Sequence, residues 1–254
     1  ALEGVDLAFF CGDIEGNRPL LDRLPSETTA IVLSPDATRG DGVPVVAGIN
    51  LDEATVGQVL ISPHPGAVAL AHLLFPLQPL GLESAVATLV QPVSMREEPA
   101  LHELFEQTRR ILSFSDQRPG MFGKQLAFNL LPAAAAANLT GELSGLVGGE
   151  LELAVQVVQG GVFHGFALSV YTRFGGDPGL AAVREALRRH PHLELVRRPE
   201  LLGPIDAAGK DAVLVGLIEP EPRRAGGYWL WAVMDNLTRG GALNALEIAA
   251  AVLG

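Results

Sequence analysis

The chain is poor in cysteine: Cys11 stands alone among 254 residues. A single thiol excludes an internal disulfide and points to a reducing compartment, the cytoplasm. Long apolar runs are also missing. None reaches the ~18 residues that a helical membrane span requires, so no membrane partner is expected. Charge is scarce, at 19% of residues, and acidic in balance, with a net charge of −11. An acidic surface repels nucleic-acid phosphates and anionic lipid, so neither is an expected partner. Ala1–Asp6 has no basic stretch and no cleavage signature, so it does not read as a signal peptide. A Gly-x-x-Gly-x-x-Gly turn after a first strand is absent as well. Gly12 and Gly16 do not fit the phosphate-cradling pattern.

What is present is apolar material: 48% of residues are hydrophobic, enough for a sizeable core. Val5–Phe10, Thr29–Leu33, Val43–Ala47 and Gln58–Ile61 read as short buried strands bounded by Gly, Pro and Asp. A helix is expected over Glu15–Leu24 and another over Ala67–Phe75, stopped by Pro76. Strands alternating with helices argue for a parallel, doubly wound arrangement. After Pro79 the pattern changes. Glu83–Ser94 reads as a long strand and Pro99–Leu112 as a helix. Leu151–Phe174 alternates with period two on either side of Gly160-Gly161, giving two strands with unlike faces. A helix over Gly179–Arg189, strands over Ala212–Ile218 and Tyr228–Val233, and a last helix over Asn236–Leu253 complete the pattern. Asn236 or Thr238 is its expected cap. The fold class is therefore α/β. A partial Rossmann-type parallel sheet (residues 1–64 with 235–254) is joined to an α+β domain (65–234).

Several phrases, in order along the chain, resemble those of aspartate-semialdehyde dehydrogenase. Val90-Gln91-Pro92-Val93-Ser94 is similar to "YQAVSG", Leu104–Thr108 to "LxEQT", and Ala127–Pro132 to "AFNxIP". Leu230–Ala245 is similar to "LWVVADNLRKGAALNA". The resemblance implies a dehydrogenase fold whose C-terminal domain dimerises. It implies an activity that reduces an acyl phosphate with NADPH through a covalent thioester. That chemistry needs a thiolate at a helix N-terminus, a histidine acid/base and arginines for the substrate anions.

The catalytic positions implied by the resemblance hold other residues. The phrase "NPNCST" corresponds to Ser62–Ala67 and puts Pro65 at the nucleophile position. Proline has no nucleophile but suits a first helical turn. The strand like "RVPVFxGH" puts Phe166 at the base and Gln159 at the substrate arginine. His164 is two residues from Phe166, ~6.6 Å along a strand, too far to replace it. Two features survive as a vestigial anion site: Arg39, matching the arginine of "SAFRMD", and Gln91, matching the glutamine beside the substrate. Asn236 and Glu247 are the candidates for cofactor contact. With the resemblance beginning partway through a nucleotide-binding half, no cofactor is expected, and NADP stays a property of the family.

Other groups read blandly. Cys11 is expected to be a small, inert core residue at a strand end. Ser62 and His64 lack a Gly-x-Ser-x-Gly elbow. His190-Pro191-His192 is expected in an exposed loop with no third metal ligand nearby, so no metal is expected. The sequence thus points to a non-catalytic homodimer with a structural or regulatory role, open to an unknown protein partner. An enzyme with displaced catalytic residues and a small-anion or nucleotide sensor are the alternatives.

Overall fold

The computed structural model describes residues 4–96, 98–116, 120–133, 136–148 and 150–254. Two sheets organise them. The first has four parallel strands: β1 (Leu7–Phe10), β2 (Thr29–Val32), β3 (Val43–Pro44) and β4 (Val59–Ile61), in the order β1-β2-β4-β3. Helix α1 (Ile14–Leu21) starts at Asp13, whose carboxylate accepts a hydrogen bond from the Gly16 amide at 2.7 Å. Its Ile14 packs with Phe10, Ala30, Val32 and Ile61 on one face of the sheet. The C-terminal helix α6 (Asn244–Leu253) sets Ala245, Ile248 and Ala249 against Ile31, Val45 and Leu60 on the other face. Both faces are covered, as a parallel sheet requires.

The second sheet has seven strands: β5 (Leu82–Gln91), β6 (Leu130–Pro132), β7 (Glu152–Gly160), β8 (Phe166–Phe174), β9 (Leu193–Leu195), β10 (Val213–Pro220) and β11 (Gly227–Met234). Their order is β6-β7-β5-β8-β11-β10-β9, with β5/β7 and β9/β10 parallel and the other pairs antiparallel. Period-two alternation points Leu89, Phe166, Leu168, Val170 and Leu230 into one core. Helices α2 (Pro65–Leu74), α4 (Ala136–Leu146) and α5 (Leu180–Arg189) contribute to that core. All ten residues of α2 are buried, so it is apolar all round rather than amphipathic. Helix α3 (Glu98–Leu112) packs Ala100 and Leu104 beside Val93, Leu126 and Ala127.

The sheet's other face is half open. Val86, Tyr171 and Trp229 face one another across β5, β8 and β11, with Val86 52% and Trp229 44% exposed. The Tyr171 and Trp229 rings lie 5.1 Å apart.

Some expected elements change. The third strand is only two residues long, because the Val46 and Ala47 amides donate instead to the side chains of Asn50 and Asn244. Strands β6 and β9, three residues each, and helix α4 carry too little period to be read from sequence. The last helix does not run unbroken from Asn236. Thr238–Leu243 form a π-helical stretch before α6 begins. Asp235, rather than Asn236 or Thr238, closes its start, accepting from the amides of Leu237 (2.8 Å) and Thr238 (3.3 Å). Ala133–Ala137 reads from sequence as a tight loop or helix turn, and residues 134 and 135 of it lie outside the described residues.

Candidate functional site

Strand β4 runs out through Ser62 and Pro63 into helix α2, and the helix start is built to be self-contained. Pro65 occupies its first turn, where its fixed φ and missing N–H cost nothing. His64 is the N-cap, and its Nδ1 accepts from the Gly66 amide at 3.0 Å. The amides of Ala67 and Val68 donate to the His64 carbonyl. The donors that a helix N-terminus would offer to an anion are therefore already engaged. Burial pushes the His64 imidazole down to about 4, so it stays neutral, consistent with Nδ1 acting as an acceptor. Its ring meets Phe166 edge-on, with centroids 5.9 Å apart.

Glu142 on α4 closes the same corner. Its carboxylate accepts from the His64 amide at 3.3 Å, and burial raises it to about 7. Beneath, parallel register puts Gln91 at the end of β5 beside Gln159 on β7. Gln91 Nε2 donates to Gln159 Oε1 at 3.2 Å, while Gln159 Nε2 donates to the carbonyls of Gln91 and Gly160. Gln91 Oε1 is buried without a partner. A crevice of about 180 Å³ opens where the ends of β2 and β4 meet the chain leaving β11, lined by Ser62, Pro65, Ser94, Asn236 and Gly240 among others. Gly240 has to be glycine: a Cβ there would lie 2.6 Å from Pro65 Cβ.

The opposite end of α2 carries a second cluster. His72 Nδ1 and His190 Nε2 are 2.8 Å apart, and the His72 and His192 ring centroids 4.9 Å. Arg239, 1% exposed, donates to His192 Nδ1 at 3.1 Å and forms a two-point ion pair with Glu247 at 2.6 and 2.8 Å. No group of metal-ligating side chains suited to an ion occurs among the described residues. A guanidinium beside the imidazoles disfavours a cation there.

Residues 74–239 match the semialdehyde dehydrogenase dimerisation domain. The chain belongs to the semialdehyde dehydrogenase family. It is 27% identical to the aspartate-semialdehyde dehydrogenase of Rickettsia conorii, over 97% of this chain and 79% of that one. It is 32% identical to a USG-1 protein homolog of Azotobacter vinelandii, over 81% of this chain and 66% of that one. Its fold superposes on the structure of a probable aspartate-semialdehyde dehydrogenase from Pseudomonas aeruginosa. There the TM-score is 0.91 and the identity 28%, covering 98% of this chain and 80% of that one.

Within this family frame the sequence-derived positions sort clearly. His64, next to Pro65, meets Phe166, and Gln91 at the end of β5 pairs with Gln159 on β7. Arg39 is exposed, and its guanidinium fills the space above Gly145 on α4: a Cβ on Gly145 would lie 1.6 Å from Arg39 Nη2. His164 sits in the exposed turn before β8, off the strand and away from the buried face that holds Phe166. Ser62 accepts from Asn244 Nδ2 at 2.9 Å. No hydrogen bond joins it to His64.

Four expectations need correcting. Cys11 is not a core residue: it lies exposed after β1, because β1 is an edge strand. His190 is not in an exposed loop; it is buried, and a third histidine, His72, stands beside it. Asn236 is not free for a cofactor. Its side chain accepts from the Gly165 amide at 3.0 Å and donates to Ser94 Oγ at 3.1 Å. Glu247 is committed to Arg239. Sequence reasoning missed Glu142, His72 and Arg239. A charged or ionisable residue inside an otherwise apolar helical stretch was the available signal for His72, and no signal marked the other two.

Proposed function

We propose that this chain is a non-catalytic member of its family, acting as a structural or regulatory homodimer. One observation carries the reading: a buried imino acid occupies the start of α2, and the amides beyond it are engaged by His64. Thioester chemistry needs a sulfur there and free donors to stabilise its thiolate. The chain's one thiol, Cys11, follows β1, two strands from β4 in the sheet order, a separation of about 10 Å. Phe166 offers no proton, and the neutral His64 uses Nδ1 to cap the helix. The residues that would meet a nicotinamide cofactor do not fit one either. Asn236 and Glu247 have their polar atoms engaged internally.

In this reading, residues 1–64 with 235–254 belong to a nucleotide-binding-type domain, and 65–234 form the dimerisation domain. The half-open row of Val86, Tyr171 and Trp229 supplies the mating face, since such a row on a sheet is costly to leave in water. Light scattering at micromolar concentration should give a dimer mass, and Val86→Arg with Trp229→Arg a monomer. A wild-type monomer would remove the dimer from the proposal. Incubation with NADP⁺, inorganic phosphate and aspartate semialdehyde should leave nicotinamide absorbance unchanged. Turnover would support the alternative, an NADP-dependent oxidoreductase with displaced catalytic residues.

One observation favours a second reading, a small-anion sensor. The Arg39 guanidinium lies over α4 with no hydrogen-bond partner among the described residues. Gln91 adds nothing to it, because its free atom is an acceptor. Calorimetric titration with inorganic phosphate tests it, and absence of heat and of thermal shift removes it.

A further inference from the structure

The cluster at the C-terminal end of α2 joins elements of both sheets. His72 comes from α2, His190 and His192 from the turn between α5 and β9, Arg239 from the π-helical stretch, and Glu247 from α6. Gly48, from the loop after β3, packs against the His192 ring: a Cβ there would lie 2.7 Å from it. Phe75 packs against His190 at 6.4 Å between centroids. The C-terminal segment that covers the four-stranded sheet is thereby tied to the helices of the seven-stranded one.

Hydrogen-bond chemistry fixes the protonation state of this tie. Arginine only donates, so His192 Nδ1 must be an unprotonated acceptor for the 3.1 Å contact with Arg239 to exist. A 2.8 Å contact between two ring nitrogens needs one donor and one acceptor, so His72 and His190 cannot both be charged across it. Each added proton places a positive charge beside a buried guanidinium. Glu247 is the one carboxylate in the cluster, and both its oxygens are held by Arg239. Two buried polar atoms, His72 Nε2 and Arg239 Nε, already lack partners. The cluster therefore has little spare capacity to absorb a proton.

We propose that His72, His190, His192, Arg239 and Glu247 form an acid-sensitive latch, which holds Thr238–Leu253 against the seven-stranded half when the imidazoles are neutral and releases it when they charge. Burial and the neighbouring Arg239 hold all three imidazoles below their ordinary range, His190 at about 4. Folded values below the unfolded one mean that the open form binds more protons, so opening is favoured as pH falls through the ordinary histidine range. Release would also move Gly240 off Pro65 and widen the crevice at the start of α2.

The test is hydrogen exchange of the whole protein, read by mass spectrometry from pH 7.5 downward and corrected for intrinsic rates. Protection of 238–253 should fall about tenfold per pH unit for each proton taken up on opening. Peptides from β5 and β8 should hold steady. His72→Gln/His190→Gln/His192→Gln should keep 238–253 protected into acid. If that variant does not fold, proton NMR of wild type decides by following the histidine ring resonances. Titration of the three rings in step with lost protection supports the latch. Protection of 238–253 that is flat with pH, or that falls together with β5 and β8, overturns it.

Discussion

The two ends of helix α2 hold the same kind of side chain in opposite arrangements. At the N-terminus, where the helix dipole favours negative charge, a neutral histidine blocks the donors and a buried acid, Glu142, stands beside it. At the C-terminus, where the dipole favours positive charge, three histidines are kept neutral and one arginine takes the charge. The first end turns a natural anion site into a closed cap. The second stores uncharged bases where protons would be held if water reached them. Burial thus decides the charge state at both ends against the helix dipole.

The comparison is broken most severely at the C-terminal end. Glu247→Ala should cost about 3 kcal/mol in denaturant unfolding at neutral pH, because it strands a buried guanidinium. That figure sits at the low end of such losses, since the Glu247 side chain keeps 30% exposure. A change within 0.5 kcal/mol would show that Arg239 finds water instead, and the latch would lose its anchor.

Glu142→Gln sharpens the contrast at the other end. A carboxyl raised in the fold from 4.5 to about 7 contributes stability below its unfolded value, and loses it as pH rises through the folded one. The amide removes that loss and keeps an acceptor for the His64 amide. The variant should therefore be more stable at pH 8 by about 2 kcal/mol, less than the full shift implies because the group is partly hydrated. His64 works the other way: lowered from 6.5 to about 4, its contribution is lost as pH falls through that window. Between the two unfolded values, 4.5 and 6.5, the slopes oppose each other in the wild type. Glu142→Gln should leave the acid slope unopposed, and a pH–stability curve parallel to wild type would contradict the geometry.

Much of this was legible in the residues, for physical reasons. Period-two alternation marked β7 and β8, because each buries one face on the core. Proline at the start of an apolar run marked the beginning of α2. The C-terminal cluster was not legible. His72 and His190 are 118 residues apart, and only the packing of α5 on the core joins them. Arg239 and Glu247 are eight apart, beyond the three- or four-residue spacing that marks a helical pair, and a π-helical stretch intervenes. Cys11 was misjudged because a short apolar run looks the same at a sheet edge as in its middle. The pairing of Gln91 with Gln159 depends on parallel register, which alternation alone does not set.

The smallest expected effect is the most decisive for function. Pro65→Cys, made with Cys11→Ser so that one thiol remains, should cost under about 1 kcal/mol, because a first helical turn accepts many residues. Cys11 is exposed, so its own replacement adds little. The new thiol would sit where a sulfur at a helix start is normally activated. Here the Gly66 amide remains bonded to His64 Nδ1, and the helix start is buried beside Phe166 and Gly240. The thiol should therefore titrate at or above the ordinary ~8.5, read from the pH dependence of alkylation, and give no turnover. A thiolate already formed at neutral pH, with nicotinamide reduction to match, would mean that one residue alone separates this chain from catalysis. The closed helix cap would then explain nothing, and the non-catalytic reading would fall with it.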